Sequence, residues 1–141
     1  MFQSKRISLV FLDAYRDHCL FLLRVSIGSF LVWGVWDNII SSENMLEFEK
    51  FLTNFGFVQP RIMAFLSVWA QFLIGCSFVV GLFVRWAGLL CAFNFVVAIV
   101  MVDSLSGIRA SFPSLCLVVV GLYLATSGAG RFGLDMFLHN K

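Results

Sequence analysis

The sequence predicts an all-α integral membrane protein: a bundle of four transmembrane helices with an amphipathic helix in the first loop. Hydrophobic residues make up 60% of its 141 residues and charged residues only 13%, whereas a soluble domain has roughly 45–50% and about 25%. Four mostly apolar segments also reach the length of about 20 residues that a helix needs to cross a bilayer. Helices are expected because lipid offers no partner for exposed backbone groups.

The four predicted spans form a single domain that covers the whole chain. They lie near residues 19–40, 61–83, 86–107 and 111–128. Only Val84-Arg85 separates the second span from the third, so these two helices are expected to form a hairpin. Gly28, Gly34, Gly75 and Gly81 lie inside the first two spans, and small residues of this kind allow close contact between membrane helices.

The long first loop, Ser41–Pro60, has the pattern of an amphipathic helix. Apolar residues recur there at spacings of three and four, which is the period of one helix face. These residues are Met45, Phe48, Phe51, Leu52 and Phe55. Because acidic residues lie between them, we expect this helix to lie along the membrane surface.

The distribution of lysine and arginine predicts the orientation of the chain. Four crossings place both termini on one side, together with Lys5, Arg6, Arg16, Arg85, Arg131 and Lys141. The other side carries only Lys50, Arg61 and Arg109. Basic loops prefer the cytoplasm. We therefore expect a multi-pass protein of the inner (cell) membrane, with both termini cytoplasmic and the acidic first loop outside.

Several functional classes are disfavoured by composition. The net charge is +2 and no basic stripe occurs, so a nucleic-acid partner is not expected. The two histidines, His18 and His139, lie outside the spans, which argues against a haem, zinc or copper site. No nucleotide-binding motif is present. We therefore expect no metal site and no intrinsic cofactor.

Polar residues within membrane spans are candidates for function, because they are costly there. Arg24, near the start of the first span, either extends to the headgroups or points inward to bind an anionic or carbonyl group. Gln71 and Asn94 are expected at similar depth in neighbouring helices. They either hydrogen-bond to each other and hold the helices together or bind the headgroup of a ligand.

A second group of candidates is expected toward the outer face. It consists of Asp37, Asp103, Trp33, Trp36 and Trp69. The tryptophans are typical of an interfacial aromatic belt, in which case the two carboxylates reach water. The alternative is an acidic and aromatic ligand pocket. The sequence leaves both alternatives open.

The four cysteines are predicted to act mainly as small buried hydrophobic residues. None belongs to a C-x-x-C pair. Cys76 and Cys91 are the two that neighbouring helices can bring to similar depth. They are therefore the only candidates for an oxidisable pair.

Three stretches of the sequence resemble the DoxX family of small bacterial membrane proteins. They are Leu22-Leu23-Arg24, Gly81-Leu82-Phe83-Val84-Arg85-Trp86-Ala87 and Gly128-Ala129-Gly130-Arg131-Phe132-Gly133-Leu134-Asp135. The resemblance runs from about Phe21 to Asp135. It implies a four-helix bundle in a bacterial inner membrane, with Arg24, Gly81, Arg85, Gly130, Arg131 and Asp135 as matching positions.

The sequence departs from the family pattern at three positions. A carboxylate is common where Gln71 stands, a lysine near Asp37, and a serine where Gly133 stands. The first departure bears on chemistry, because an amide can hydrogen-bond a quinone carbonyl but cannot deliver a proton.

The resemblance also implies a function, because the family includes the small membrane subunit of thiosulfate:quinone oxidoreductase. We expect a membrane subunit of a redox or stress-related system that binds quinone or another lipid between its helices. At most it is a quinone-linked oxidoreductase subunit that acts with a partner. The alternatives are a non-catalytic assembly or integrity factor and a small transporter acting as an oligomer. The expected partners are membrane lipid and either another protein or further copies of the chain.

Overall fold

The computed structural model describes residues 10–139 of the chain, and no strand occurs among them. The elements in order are a 3₁₀ helix (Val10–Tyr15), α1 (Arg16–Ile40), α2 (Ser42–Asn54), α3 (Pro60–Val80), α4 (Val84–Met101), a 3₁₀ turn (Asp103–Leu105), α5 (Ile108–Ser127) and α6 (Asp135–His139). The predicted fold, with four membrane helices and a helix in the first loop, is confirmed. Lys5, Arg6 and Lys141, which enter the predicted orientation, lie outside the described residues.

Four stretches are long and apolar enough to cross a membrane: Phe11–Ile40, Pro60–Val80, Val84–Leu105 and Ile108–Ser127. Their ends differ from the predicted ends mainly at glycine. Helix α3 ends before Gly81, whose φ of +79° is a left-handed conformation that glycine adopts readily. Gly107 has a φ of +91° and precedes α5. Apolar residues continue after Gly81 as Leu82 and Phe83, so hydropathy alone placed the end of the second span too late. The third span was also predicted too long, since α4 ends at Met101 and a 3₁₀ turn follows it.

The membrane helices pack as two close pairs, α1 with α3 and α4 with α5, and α3 packs on α4 between them. Each pair crosses where two glycine backbones touch. A Cβ atom on Gly75 would lie 2.7 Å from the carbonyl oxygen of Gly28, and one on Gly121 would lie 2.7 Å from that of Gly88. The expected close contact is confirmed at Gly28 and Gly75 but is wrong at Gly34, where nothing lies within 4 Å of an added Cβ. The second pair of glycines was not predicted.

Helix α2 packs on α3 and, to a smaller extent, on α1. The Ser41 hydroxyl caps its first turn by accepting a hydrogen bond from the Asn44 amide at 3.4 Å, as is usual for serine at this position. Leu52 is only 4% exposed, so the apolar face of α2 is partly covered by protein. The acidic residues Glu43 and Glu47 remain exposed. The position of α2 along the membrane surface stays a prediction.

The interior of the bundle is small and apolar. Its largest fully buried apolar side chains are Phe78, Ile74, Leu124, Val68 and Val84. Large hydrophobic side chains also cover the outside of the membrane helices. Since water penalises such a surface and lipid does not, this exposure fits a protein that spans a bilayer.

Adding one methyl group at Gly75 is expected to destabilise the bundle. In Gly75→Ala the new Cβ meets a backbone oxygen, which cannot move aside as a side chain would, so α1 and α3 must separate. We expect a loss of about 1–3 kcal/mol, measured by denaturant unfolding in detergent. Gly34→Ala is the matched control on α1, because nothing lies within 4 Å of its added Cβ. Equal stability of the two variants would contradict the proposed glycine crossing.

Candidate functional site

Arg24 is 0% exposed, although it carries a charge. Its Nη1 donates a hydrogen bond to the Ala129 carbonyl at 2.8 Å, and its Nη2 donates one to the Phe132 carbonyl at 3.2 Å. Of the two alternatives weighed from the sequence, extension to the headgroups is wrong and the inward position is confirmed. The carbonyl groups that Arg24 binds belong to the tail after α5.

Two glycines leave space for the Arg24 guanidinium. A Cβ atom on Gly133 would lie 2.8 Å from Nη1, and one on Gly81 would overlap the same nitrogen. A Cβ on Gly133 would also overlap the side chain of Ala129. The absence of a side chain at Gly133 therefore allows the tail to pack closely against Arg24.

Asp135 connects the tail to the turn between α3 and α4. Its Oδ1 accepts a hydrogen bond from the Phe83 amide at 2.7 Å, and its Oδ2 accepts one from the Val84 amide at 3.1 Å. Its own amide donates to the Gly81 carbonyl at 3.0 Å. A carboxylate at a helix N-terminus satisfies free amides and opposes the positive end of the helix dipole.

These contacts form one connected unit, which we call the tail clasp. It comprises Arg24, Gly81, Gly133 and Asp135, with the carbonyls of Ala129 and Phe132. The unit joins α1, the α3–α4 turn and the tail after α5. Its members come from all three stretches that predicted the family, although the sequence did not indicate that they meet.

The remaining matching positions lie around the tail clasp. Arg85 donates from Nη1 to the carbonyls of Thr126 at 2.9 Å and Ala125 at 3.3 Å, at the end of α5. Arg131 forms an exposed ion pair with Asp17, with 3.7 Å between Nε and Oδ2. Gly130 has a φ of +68°. These three positions therefore shape and hold the tail.

Gln71 and Asn94 are joined through a third residue, Ser67. The Gln71 Nε2 donates to the Ser67 hydroxyl at 3.1 Å, and that hydroxyl donates to the Asn94 Oδ1 at 3.3 Å. Since Ser67 and Gln71 are on α3 and Asn94 is on α4, the chain of bonds links the two helices. The predicted direct hydrogen bond between Gln71 and Asn94 is wrong, because Ser67 stands between them and bridges the two helices.

The two carboxylates that were expected toward the outer face, Asp37 and Asp103, have separate surroundings. Asp37 is exposed at the end of α1. Asp103 accepts a hydrogen bond from the Ser114 hydroxyl at 2.5 Å, which connects the turn before α5 to α5 itself. The structure gives no contact between the two carboxylates, and neither lines a groove with the tryptophans.

Two of the predicted tryptophans line a groove between α1 and α3. The groove has a volume of about 520 Å³, and we call it the aromatic groove; it is lined by Ser29, Val32, Trp33, Trp36, Cys76, Val79 and Val80. Trp69 lies beside it, linked through Phe72, whose ring centroid is 5.8 Å from Trp69 and 6.4 Å from Trp36. The aromatic groove does not include Arg24, Gln71 or Asn94.

The two cysteines proposed as a pair face different surroundings. Cys76 borders the aromatic groove. Cys91 is fully buried, and its Sγ donates to the Leu117 carbonyl on α5 at 3.8 Å. All four cysteines are free thiols in the structure. Whether Cys76 and Cys91 ever oxidise together stays a prediction.

Comparison with known proteins assigns the chain to a family. The family model DoxX matches residues 19–104, which is more than half of the chain. The chain belongs to the DoxX family. The match covers Arg24, Gly81 and Arg85, whereas the tail that closes the clasp follows it. No curated protein and no solved structure matches the chain.

Loss of the Arg24 guanidinium is expected to release the tail. Arg24→Met keeps an apolar side chain of similar length but leaves the carbonyls of Ala129 and Phe132 without their donors. We expect unfolding to become easier by about 3 kcal/mol, and faster hydrogen exchange in residues 129–135. The control Arg109→Met changes an exposed arginine at the other end of the bundle. Equal effects of the two variants would contradict the clasp.

Asp135 is expected to stabilise the protein by capping α4. Asp135→Ala removes both acceptors from the amides of Phe83 and Val84, at an expected cost of about 1–2 kcal/mol in unfolding free energy. The control Asp17→Ala breaks only an exposed ion pair, which contributes about 0–1 kcal/mol. Denaturant unfolding of both variants in the same detergent compares them directly. A larger loss for Asp17→Ala would overturn the assignment.

Proposed function

We propose that this DoxX-family chain is the membrane subunit of a redox system and binds a quinone in the aromatic groove. The observation that carries the proposal is the placement of two indole rings, a hydroxyl and a thiol around one apolar groove in the membrane region. Small-molecule sites combine apolar walls with a few polar groups in the same way. Family membership supports the broader role in the membrane.

The lining of the aromatic groove suits the two parts of a quinone. Flat aromatic rings stack on one another in offset or edge-to-face arrangements, and Trp33 and Trp36 offer such surfaces. The Ser29 hydroxyl and the Trp36 indole N–H can each donate a hydrogen bond to a quinone carbonyl. Val79 and Val80 extend the groove with the apolar surface that an isoprenoid tail requires.

The groups around the aromatic groove bind and orient, whereas redox chemistry must be completed by a partner. Reduction of a quinone to a quinol consumes two electrons and two protons. No carboxylate lines the groove, and Arg24, Gln71 and Asn94 hydrogen-bond to other groups of the protein. The partner would therefore deliver electrons, and protons would come from the partner or from water at the membrane surface.

The partner is proposed to bind at the polar ends of the bundle, in an inner membrane with both termini in the cytoplasm. On the outer side the exposed Glu43, Glu47 and Lys50 of α2 form a charged surface. On the inner side the Arg85 turn and the tail are the corresponding surface. Further copies of the chain are the alternative partner.

A second candidate function is a non-catalytic assembly or integrity factor. It is favoured because Arg24 and Asp135 hydrogen-bond backbone groups of the chain itself, so these side chains hold the structure together and are not free to bind a ligand. A small transporter acting as an oligomer remains the third proposal. The binding experiment below separates the first candidate from these two.

Quinone binding in the aromatic groove is expected to quench the fluorescence of Trp33 and Trp36. The chain has four tryptophans, so each can be replaced by phenylalanine in turn. In lipid nanodiscs titrated with a short-chain quinone, we expect saturable quenching in the wild type and its loss in the Trp33→Phe/Trp36→Phe double variant. Trp86→Phe is the control, because Trp86 is 74% exposed on α4 and does not line the groove.

One further variant and one alternative outcome complete the quinone-binding test. Val80→Phe narrows the groove without removing a fluorophore and is expected to weaken the apparent affinity by about tenfold, which corresponds to about 1.4 kcal/mol. Quenching that rises linearly and equally in every variant would mean simple partition of quinone into lipid. That result would overturn the quinone proposal and favour the assembly factor.

A further inference from the structure

A second groove lies between α1 and α5, at the end of the bundle that carries the tail clasp. Its volume is about 420 Å³, and it is lined by Arg16, Cys19, Leu20, Leu23 and Tyr123. The residues on α1 follow spacings of three and four, so they share one face of the helix. We call this site the α1–α5 groove. It shares no lining residue with the aromatic groove.

The α1–α5 groove follows from the way the helices pair. Helix α1 packs mainly on α3, and α5 packs mainly on α4, whereas α1 and α5 are not a closely packed pair. The bundle is therefore open along this side at the level of Leu20, Leu23 and Tyr123. In a bilayer such an apolar opening is filled by lipid chains, because filling it with water would leave apolar surface hydrated.

Arg16 provides an unused charge at the mouth of this groove. Three other arginines that the structure describes at this end are engaged: Arg24 and Arg85 bind backbone carbonyls, and Arg131 pairs with Asp17. Within residues 10–139, Arg16 makes no ion pair and no side-chain hydrogen bond. Guanidinium groups bind phosphate oxygens through paired, charge-assisted hydrogen bonds. The charge is therefore available for an anionic group outside the protein.

The spacing along α1 matches a lipid headgroup followed by an acyl chain. Leu23 lies seven residues after Arg16, or about 10 Å along the helix at 1.5 Å per residue. A phosphate at Arg16 would therefore be followed by methylene groups against Leu20 and Leu23. Tyr123 lies four residues before the end of α5, about 6 Å along that helix. Its hydroxyl can donate a second hydrogen bond near the headgroup.

We propose that the α1–α5 groove binds one anionic phospholipid. The phosphate contacts the Arg16 guanidinium and the Tyr123 hydroxyl, and an acyl chain lies along Leu20 and Leu23. Among the described arginines at this end of the bundle, Arg16 is the one without a partner. The negative charge of the lipid complements the charge of Arg16. This site is independent of the quinone proposal, because the two grooves share no lining residue, although both border α1.

Native mass spectrometry in mild detergent tests the site. Phosphatidylglycerol is titrated against phosphatidylcholine, and one phosphatidylglycerol is expected to remain bound per chain. Arg16→Gln is expected to weaken this binding by about tenfold, because the charge-assisted hydrogen bonds to the phosphate are lost. Arg109→Gln removes the same charge from an exposed site at the other end and is expected to leave the binding unchanged.

A variant that keeps the charge tests the groove itself. Leu23→Trp fills the groove while leaving Arg16 in place, and it is expected to lower lipid retention. Helical circular dichroism checks that each variant is folded. Equal losses in Arg16→Gln and Arg109→Gln would show general attraction to charge and overturn the site. Equal retention of phosphatidylcholine and phosphatidylglycerol would overturn its selectivity for anionic lipid.

Discussion

The structure depends most on one buried cation. Arg24 is enclosed by protein, and burial of a charge is costly unless hydrogen bonds compensate for it. That compensation comes from two backbone carbonyls that follow α5, so the last part of the chain must return to the first helix. The same return brings Asp135 to the free amides at the start of α4. The cost of removing the Arg24 charge from water thus determines where α1, the α3–α4 turn and the tail after α5 meet.

This arrangement also explains why the turn between α3 and α4 is so short. Gly81 supplies the left-handed backbone that reverses the chain and leaves space for the guanidinium. Asp135 then caps α4 from outside the turn, so the turn needs no capping side chain of its own. Glycine contacts between α1 and α3 and between α4 and α5 hold the rest of the bundle by close backbone packing. Polar contacts at one end of the bundle therefore position the tail and the turn, whereas backbone contacts along the spans hold the helices together.

The sequence predicted the fold better than the site, for physical reasons. Length and hydropathy identify membrane helices, and the spacing of Phe48, Leu52 and Phe55 identifies α2, because these signals are local. The partners of Arg24 are backbone carbonyls, which carry no residue type and leave no trace in a sequence. Ser67 was missed because a serine in a membrane helix can equally bond to its own backbone. The contact of Gly88 with Gly121 depends on which helices pair.

The polar groups inside the spans are engaged within the protein, so ligands are expected to bind elsewhere. Arg24, Gln71 and Asn94 were the natural candidates, because polar groups in spans often mark function. In this chain they hydrogen-bond to other groups of the protein, and two grooves beside α1 are open instead. One groove offers indole rings, and the other offers a guanidinium above apolar side chains. Because α1 packs closely on α3 but not on α5, the second groove stays open toward lipid, and a membrane protein can bind an apolar molecule on such a surface.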